Sequence, residues 1–130
     1  IVKDFQGLAY LPDWSYNGIG DMILGHAYQV KVQEESNLII EGEYSLPEDV
    51  QVYLPIGWSL FGYLRTEPAN CGSVLYEIQS EVIIAKDYLG NAYLPTWGFN
   101  GIGNLIPGQG YQIKMNSPQV LQYISNSENY

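Results

Sequence analysis

The sequence is poor in the residues from which most catalytic and metal centres are built. Its 130 residues include one cysteine, Cys71, and one histidine, His26. A single cysteine excludes an intrachain disulfide, and one His with one Cys cannot form a nucleophile–base pair or a zinc cluster in duplicate. We therefore expect no catalytic residues, no metal site and no cofactor, and interpret the protein as a non-enzyme.

Basic residues and long apolar runs are also scarce. Five Lys and Arg residues stand against 14 Asp and Glu residues, which gives a net charge of −9. Binding of phosphates requires clustered positive charge, so this balance disfavours nucleic acid and anionic membranes as partners. No apolar run approaches the ~18 residues that cross a bilayer. We expect no nucleic-acid partner and no membrane span.

Acidic residues are concentrated in residues 34–49, where no basic residue occurs. Three interpretations are open: a solvated linker, a weak Ca²⁺ site, or adaptation to salty surroundings. The acids lack the D-x-[DN]-x-[DN]-G spacing of a calcium loop, which favours the linker. They are Glu34, Glu35, Glu41, Glu43, Glu48 and Asp49.

One peptide occurs twice in the chain. Residues 3–31, the first copy, align without a gap to residues 86–114, the second copy, at an offset of 83, with 17 identical pairs among 29. "YLPDWSYNGIG" in the first copy becomes "YLPTWGFNGIG" in the second. This period exceeds that of a solenoid unit and predicts a duplicated small module.

The two modules are not equally complete. Residues 54–84 precede the second copy, whereas only two residues precede the first, and the chain begins at Ile1 without a Met or a signal peptide. We therefore expect a piece of a longer protein with four parts. Residues 1–42 form the C-terminal half of a first module, 43–53 a linker, 54–125 a complete second module, and 126–130 a tail.

The second module has the pattern of a small antiparallel sheet with one short helix. Alternating or β-branched runs predict strands at residues 58–64, 81–88, 111–115 and 119–124. Apolar spacing within 67–79 predicts a short helix capped by Asn70 or Ser73. The predicted fold class is therefore mainly β (α+β), duplicated at the 83-residue offset.

Turn and loop residues recur at matching positions. Asp4 and Asp87 stand at the head of a hairpin turn, and the glycines of both copies supply backbone angles closed to other residues. "NGIG" lacks the G-x-G-x-x-G and Walker spacing, and a strand follows it, which argues against a phosphate loop. The predicted structural glycines are Gly7, Gly18, Gly20, Gly90, Gly101 and Gly103.

Aromatic residues are abundant: 12 Tyr, three Trp and three Phe. Trp14 and Tyr16 lie beside the glycine-rich loop of the first copy, and Trp97 and Phe99 occupy the aligned positions. Two interpretations are open. In the first the side chains anchor the loop in the core, and Trp97→Ala then costs ~3–5 kcal/mol. In the second they form a stacking platform for a sugar or a peptide.

The combined motifs resemble a known repeat. "LPIGWSLFGY" followed by "IIAKDYLGNAYLPTWGFNGIGNLIPGQGYQIKM" is similar to a repeated module of large secreted or surface proteins of flavobacteria and related marine Bacteroidetes. His26 and Ala27 depart from that pattern. The resemblance implies an extracellular or cell-surface setting among other modules of the same chain, and it implies no catalytic residues.

Three functions follow as hypotheses. The first is a non-catalytic module acting as a spacer or adhesion element. The second is a carbohydrate- or peptide-binding domain that uses the Trp/Tyr loop, with a surface glycan or protein as partner. The third is a small carboxylate-dependent hydrolase. We also expect the incomplete first module to dock on the second or to self-associate, because an uncovered sheet exposes unpaired backbone groups.

Overall fold

The chain folds into short antiparallel strands with a single short α-helix, which confirms the predicted fold class. The computed structural model describes all residues, Ile1–Tyr130. The helix α1 spans Cys71–Val74, and 3₁₀ turns span Pro12–Trp14, Pro47–Asp49, Tyr76–Glu81 and Pro95–Trp97. The strands are β1 (Val2–Lys3), β2 (Ala9–Leu11), β3 (Tyr16–Asn17), β4 (Gln29–Val30), β5 (Gln51–Leu54), β6 (Gly57–Gly62), β7 (Ala69–Asn70), β8 (Val82–Lys86), β9 (Ala92–Leu94), β10 (Phe99–Asn100), β11 (Asn104–Leu105), β12 (Gly110–Met115) and β13 (Gln119–Gln122).

The larger sheet, here the central sheet, has the strand order β10-β9-β8-β12-β6. Strand β12 is an inner strand that pairs with β6 along its whole length and with β8 on its other side. Alternation along β12 buries Tyr111, Ile113 and Met115 and leaves Gln112 and Lys114 half-buried on the opposite face. This period of two confirms the predicted strand and gives the sheet one core face and one outer face.

The smaller sheet, here the N-terminal sheet, has the order β3-β2-β1-β4. In the sequence alignment of the two copies, β3 corresponds to β10, β2 to β9, β1 to β8 and β4 to β12. These four strands therefore have the same order in both sheets. The N-terminal sheet contains no counterpart of β6, and β4 is therefore an edge strand. Val30 of β4 is exposed, whereas the aligned Ile113 is fully buried.

The helix covers the core face of the central sheet. Asn70 caps it, because its side-chain Oδ1 accepts a hydrogen bond from Ser73 N at 3.2 Å. The predicted helix within 67–79 is α-helical only at Cys71–Val74, and the chain then tightens into the 3₁₀ turn Tyr76–Glu81. Leu75 and Ile78 both pack in the core.

The segment predicted as a linker contains part of the sheet structure. Strand β5 begins at Gln51 and pairs antiparallel with β13, and Val50 and Val52 belong to the core cluster. Residues 50–53 are therefore packed with the C-terminal part of the chain. Residues 31–46 contain no helix or strand, and their acidic side chains are exposed.

The N-terminal sheet docks against the rest of the chain through residues 25–27. Gly62 N donates to Gly25 O at 2.9 Å, and His26 forms an isolated antiparallel bridge with Phe61. The contact is close, because a Cβ placed on Gly110 would lie 2.5 Å from Ala27 Cβ. These contacts dock residues 25–27 on the rest of the chain, which is one of the two outcomes expected for the first copy.

The C-terminal residues are held by one buried arginine. The Arg65 guanidinium donates to Ser125 O at 3.2 Å and to Glu128 O, and its Cζ lies 4.9 Å from the centroid of the Tyr130 ring. The predicted tail, residues 126–130, is therefore tied to the body of the protein.

Candidate functional site

Two equivalent aromatic turns follow the second strand of each copy. The first spans residues 12–17 and the second residues 95–100. In each, a proline begins a 3₁₀ turn that ends at the tryptophan, and the next residue adopts a left-handed conformation: Ser15 with φ 50° and Gly98 with φ 59°. The chain then returns as a two-residue strand that pairs with the preceding one. The turn thus places Trp14 and Trp97 at its apex.

An asparagine braces each turn. Asn17 Oδ1 accepts from Gly20 N at 3.0 Å, and its Nδ2 donates to Gly20 O at 3.3 Å. Asn100 makes the same two hydrogen bonds to Gly103, at 2.9 and 3.1 Å. Gly20 and Gly103 have φ near +78° and supply the left-handed angles that were predicted for the loop, whereas Gly18 and Gly101 do not adopt positive φ.

The second aromatic ring of each turn rests against a glycine. A Cβ placed on Gly18 would lie 2.8 Å from Tyr16 Oη, and one placed on Gly101 would lie 2.9 Å from Phe99 Cε1. A side chain at either glycine would displace the ring. The glycines therefore fix where Tyr16 and Phe99 lie.

The four aromatic side chains are exposed. Trp14 and Trp97 are each 81 % exposed, and Tyr16 and Phe99 are 54 % and 53 % exposed. The interpretation of the two indoles as core anchors is therefore wrong, because an anchor must be surrounded by other side chains. The rigid turns instead present one free indole each, with a half-exposed ring beside it, and such surfaces suit stacking on an apolar ligand face.

The hairpin turns of both copies are also built alike. Asp4 Oδ1 accepts hydrogen bonds from Gln6 N and Leu8 N, and Asp87 Oδ1 accepts from Leu89 N and Asn91 N, all at 2.8–3.0 Å. Gly7 and Gly90 follow with φ of 86° and 88°. Each carboxylate thus caps its own turn.

The remaining reactive side chains lie apart from one another. His26 packs edge-on against Phe5 with ring centroids 6.1 Å apart, at the docking contact. Cys71 is fully buried in the core, and burial raises the pKa of its thiol to about 12. No group of three or more His, Cys, Asp or Glu side chains is placed to hold a metal ion.

A third tryptophan forms a cluster that the sequence interpretation missed. Trp58 lies on the outer face of the central sheet, and the ammonium groups of Lys86 and Lys114 lie 5.6 and 5.8 Å from its ring centroid. Part of this cluster could have been noticed in the sequence, because Lys86 and Lys114 align with Lys3 and Lys31 of the first copy. Only the strand register shows that Trp58 lies opposite Lys114.

No helix of the chain combines the length and the apolar character that a bilayer crossing requires. Comparison of this chain with family models, with curated proteins and with solved structures found no match.

Proposed function

We propose that the chain is a non-catalytic, β-rich module of a secreted or surface protein with an adhesion role, and that its two aromatic turns are the ligand contacts. The single observation that carries this proposal is the exposure of both indoles at aligned positions. The extracellular setting, among other modules of the same chain, is supported by the sequence resemblance alone.

Exposure of the indoles is not a by-product of the smaller N-terminal sheet. At other aligned positions the exposure of the side chain differs between the two copies. Tyr111 is buried whereas the aligned Tyr28 is half-buried, and Leu105 is buried whereas the aligned Met22 is exposed. Trp14 and Trp97 have the same exposure in both surroundings. The turn itself therefore displays the indole, whatever packs beneath it.

The ligand that fits such a turn has an apolar face, as a sugar ring or a peptide side chain has. An indole presents a broad flat surface to C–H groups and loses little conformational entropy on binding. The hydroxyl of Tyr16 is absent from the aligned Phe99, so the ring is the shared feature. Two turns on one chain also allow two weak contacts to act together on a multivalent surface.

An array of neutral glycans and a display library of uncharged peptides test the proposal directly. We expect Trp14→Ala and Trp97→Ala each to weaken capture by about tenfold or more, and the double variant to lose it, since tryptophans often dominate interface energies. Tyr53→Ala, at an exposed aromatic residue of β5 outside both turns, is the matched control and should bind normally. Capture that survives in the folded double variant would refute the role of the turns.

A further inference from the structure

A groove runs between the N-terminal sheet and the outer face of the central sheet. A cavity of about 310 Å³ adjoins one of about 540 Å³, and they share four lining residues, Gln29, Leu60, Lys86 and Gln112. The two cavities therefore form one continuous groove. Lys3, Asp4 and Phe5 line it from the N-terminal sheet, and Trp58 and Ser59 line it from β6.

Each copy contributes a lysine and a glutamine to this groove. Strand pairing places Lys3 opposite Gln29 and Lys86 opposite Gln112, and these are aligned pairs in the sequence repeat. All four side chains line the groove. Ammonium and amide groups thus face it from both sides.

Trp58 adds an aromatic surface to one end of the groove. Its indole is 45 % exposed, and Lys86 and Lys114 approach the ring from two neighbouring strands. Each ammonium group is attracted to the negative face of the indole ring. Together they hold two ammonium groups beside one ring, although like charges repel.

The concentration of positive charge here is unusual for this chain. Only five Lys and Arg residues exist in a protein of net charge −9, and Lys3, Lys86 and Lys114 are three of them. Two carboxylates, Asp4 and Asp87, also line the groove, and each accepts hydrogen bonds from backbone amides of its own turn. The lysines are therefore placed to meet an anion from outside the chain.

We propose that this groove binds an acidic saccharide, one that carries carboxylate or sulfate groups. The indole of Trp58 suits the C–H face of a sugar ring, the amides of Gln29 and Gln112 suit hydroxyl groups, and the ammonium groups suit the acid. The groove is distinct from the aromatic turns, and its ligand is independent of theirs.

Isothermal titration of the whole chain with an oligogalacturonate hexamer tests the proposal. The same hexamer with its carboxyls methyl-esterified is the control ligand, since it keeps the ring shape and loses the charge. We expect measurable binding of the acid and at least about tenfold weaker binding of the ester. Binding should also weaken as NaCl rises from about 20 to about 200 mM, because exposed charges are screened. A sulfated oligosaccharide serves as the second acidic probe.

Variants locate the site. Lys86→Gln, Lys114→Gln and Trp58→Ala should each weaken binding by about tenfold, and Trp58→Phe should retain part of it. Lys31→Gln is the matched control, because Lys31 aligns with Lys114 and is exposed, but it neither lines the groove nor lies beside the Trp58 ring as Lys114 does. The Trp14→Ala/Trp97→Ala double variant should bind the hexamer normally, which separates this proposal from that for the turns.

Three results would overturn the proposal. The first is equal affinity for the acid and its methyl ester, or no binding of either acidic probe. The second is undiminished binding by Lys86→Gln and Lys114→Gln. The third is a preference for a hexaglutamate peptide over both acidic saccharides, which would reassign the groove to an acidic protein segment.

Discussion

The hydroxyl groups of Tyr111 and Tyr28 make the same hydrogen bond in two different surroundings. Tyr111 Oη accepts from Ile106 N at 2.8 Å, and Tyr28 Oη accepts from Ile23 N at 2.8 Å. Tyr111 is buried in the central sheet, whereas Tyr28 is half-buried and Ile23 is exposed. Replacement of each tyrosine by phenylalanine therefore isolates the effect of burial on one hydrogen bond.

We expect Tyr111→Phe to lower the free energy of unfolding by about 1–2 kcal/mol. The change removes a part-buried hydrogen bond worth ~1 kcal/mol and leaves the Ile106 amide without its acceptor beside the buried Tyr111 ring, which adds a desolvation cost. We expect Tyr28→Phe to cost less than about 0.5 kcal/mol, since water can reach the freed amide of Ile23.

Urea unfolding followed by circular dichroism measures both variants against the parent. Unchanged m-values are needed to read the midpoint shifts as stability changes. Equal losses in the two variants, or a larger loss in Tyr28→Phe, would refute the assignment of the two tyrosines to different degrees of burial.

Four further predictions concern separate features of the chain. Gly90→Val should cost ~1–3 kcal/mol, because a φ of 88° is strained for a β-branched residue, and unchanged urea unfolding would contradict this. Trp97→Ala should change the free energy of unfolding by less than about 0.5 kcal/mol, and a loss near 3 kcal/mol would restore the anchor interpretation. Cys71 should react with a thiol reagent only as fast as the chain opens. Burial of the neutral Cys71 thiol should contribute its full stabilisation below pH about 9, and this contribution should be lost as the pH rises towards the folded pKa of about 12. The reason is that between these values the thiol ionises only in the unfolded chain. Measuring the free energy of unfolding against pH for the parent and for Cys71→Ala checks this. Amides in residues 28–32 should exchange with deuterium faster than those in 111–115, because β4 is an edge strand and β12 pairs with a strand on each side. Equal protection in a monomer would show that the edge is covered.

Local patterns in the sequence predicted the elements of the second module well. Alternation in residues 111–115 and a capping residue before Cys71 depend on neighbours in the chain, so they are visible without a structure. Pairing of β5 with β13 joins residues more than 60 positions apart and leaves no local signal. That is why the end of the predicted linker contained a strand that the sequence interpretation did not place.

The interpretation of the tryptophans as anchors failed for a different reason. A Trp beside a glycine-rich turn is consistent with burial beneath the loop and with display at its apex. In the structure a left-handed residue, Ser15 or Gly98, follows each tryptophan, and the indole is exposed in both turns. Serine rarely adopts this conformation, so residue type at position 15 gave no warning.

Residues 38–40 form an exposed apolar segment that could support the expected self-association of the chain. Leu38, Ile39 and Ile40 are exposed, although they align with Leu121, Gln122 and Tyr123 at the end of the second module. Leu121 lies in β13, which pairs with β5, and Leu121 and Tyr123 are buried. No strand pairs with residues 38–40.

Strand-forming residues without a partner strand favour pairing with another chain. The flanking acids, Glu34, Glu35, Glu41 and Glu43, oppose this through like-charge repulsion, which salt screens. Self-association through the first module, which we propose, should therefore strengthen as ionic strength rises, opposite to the salt dependence proposed for the groove.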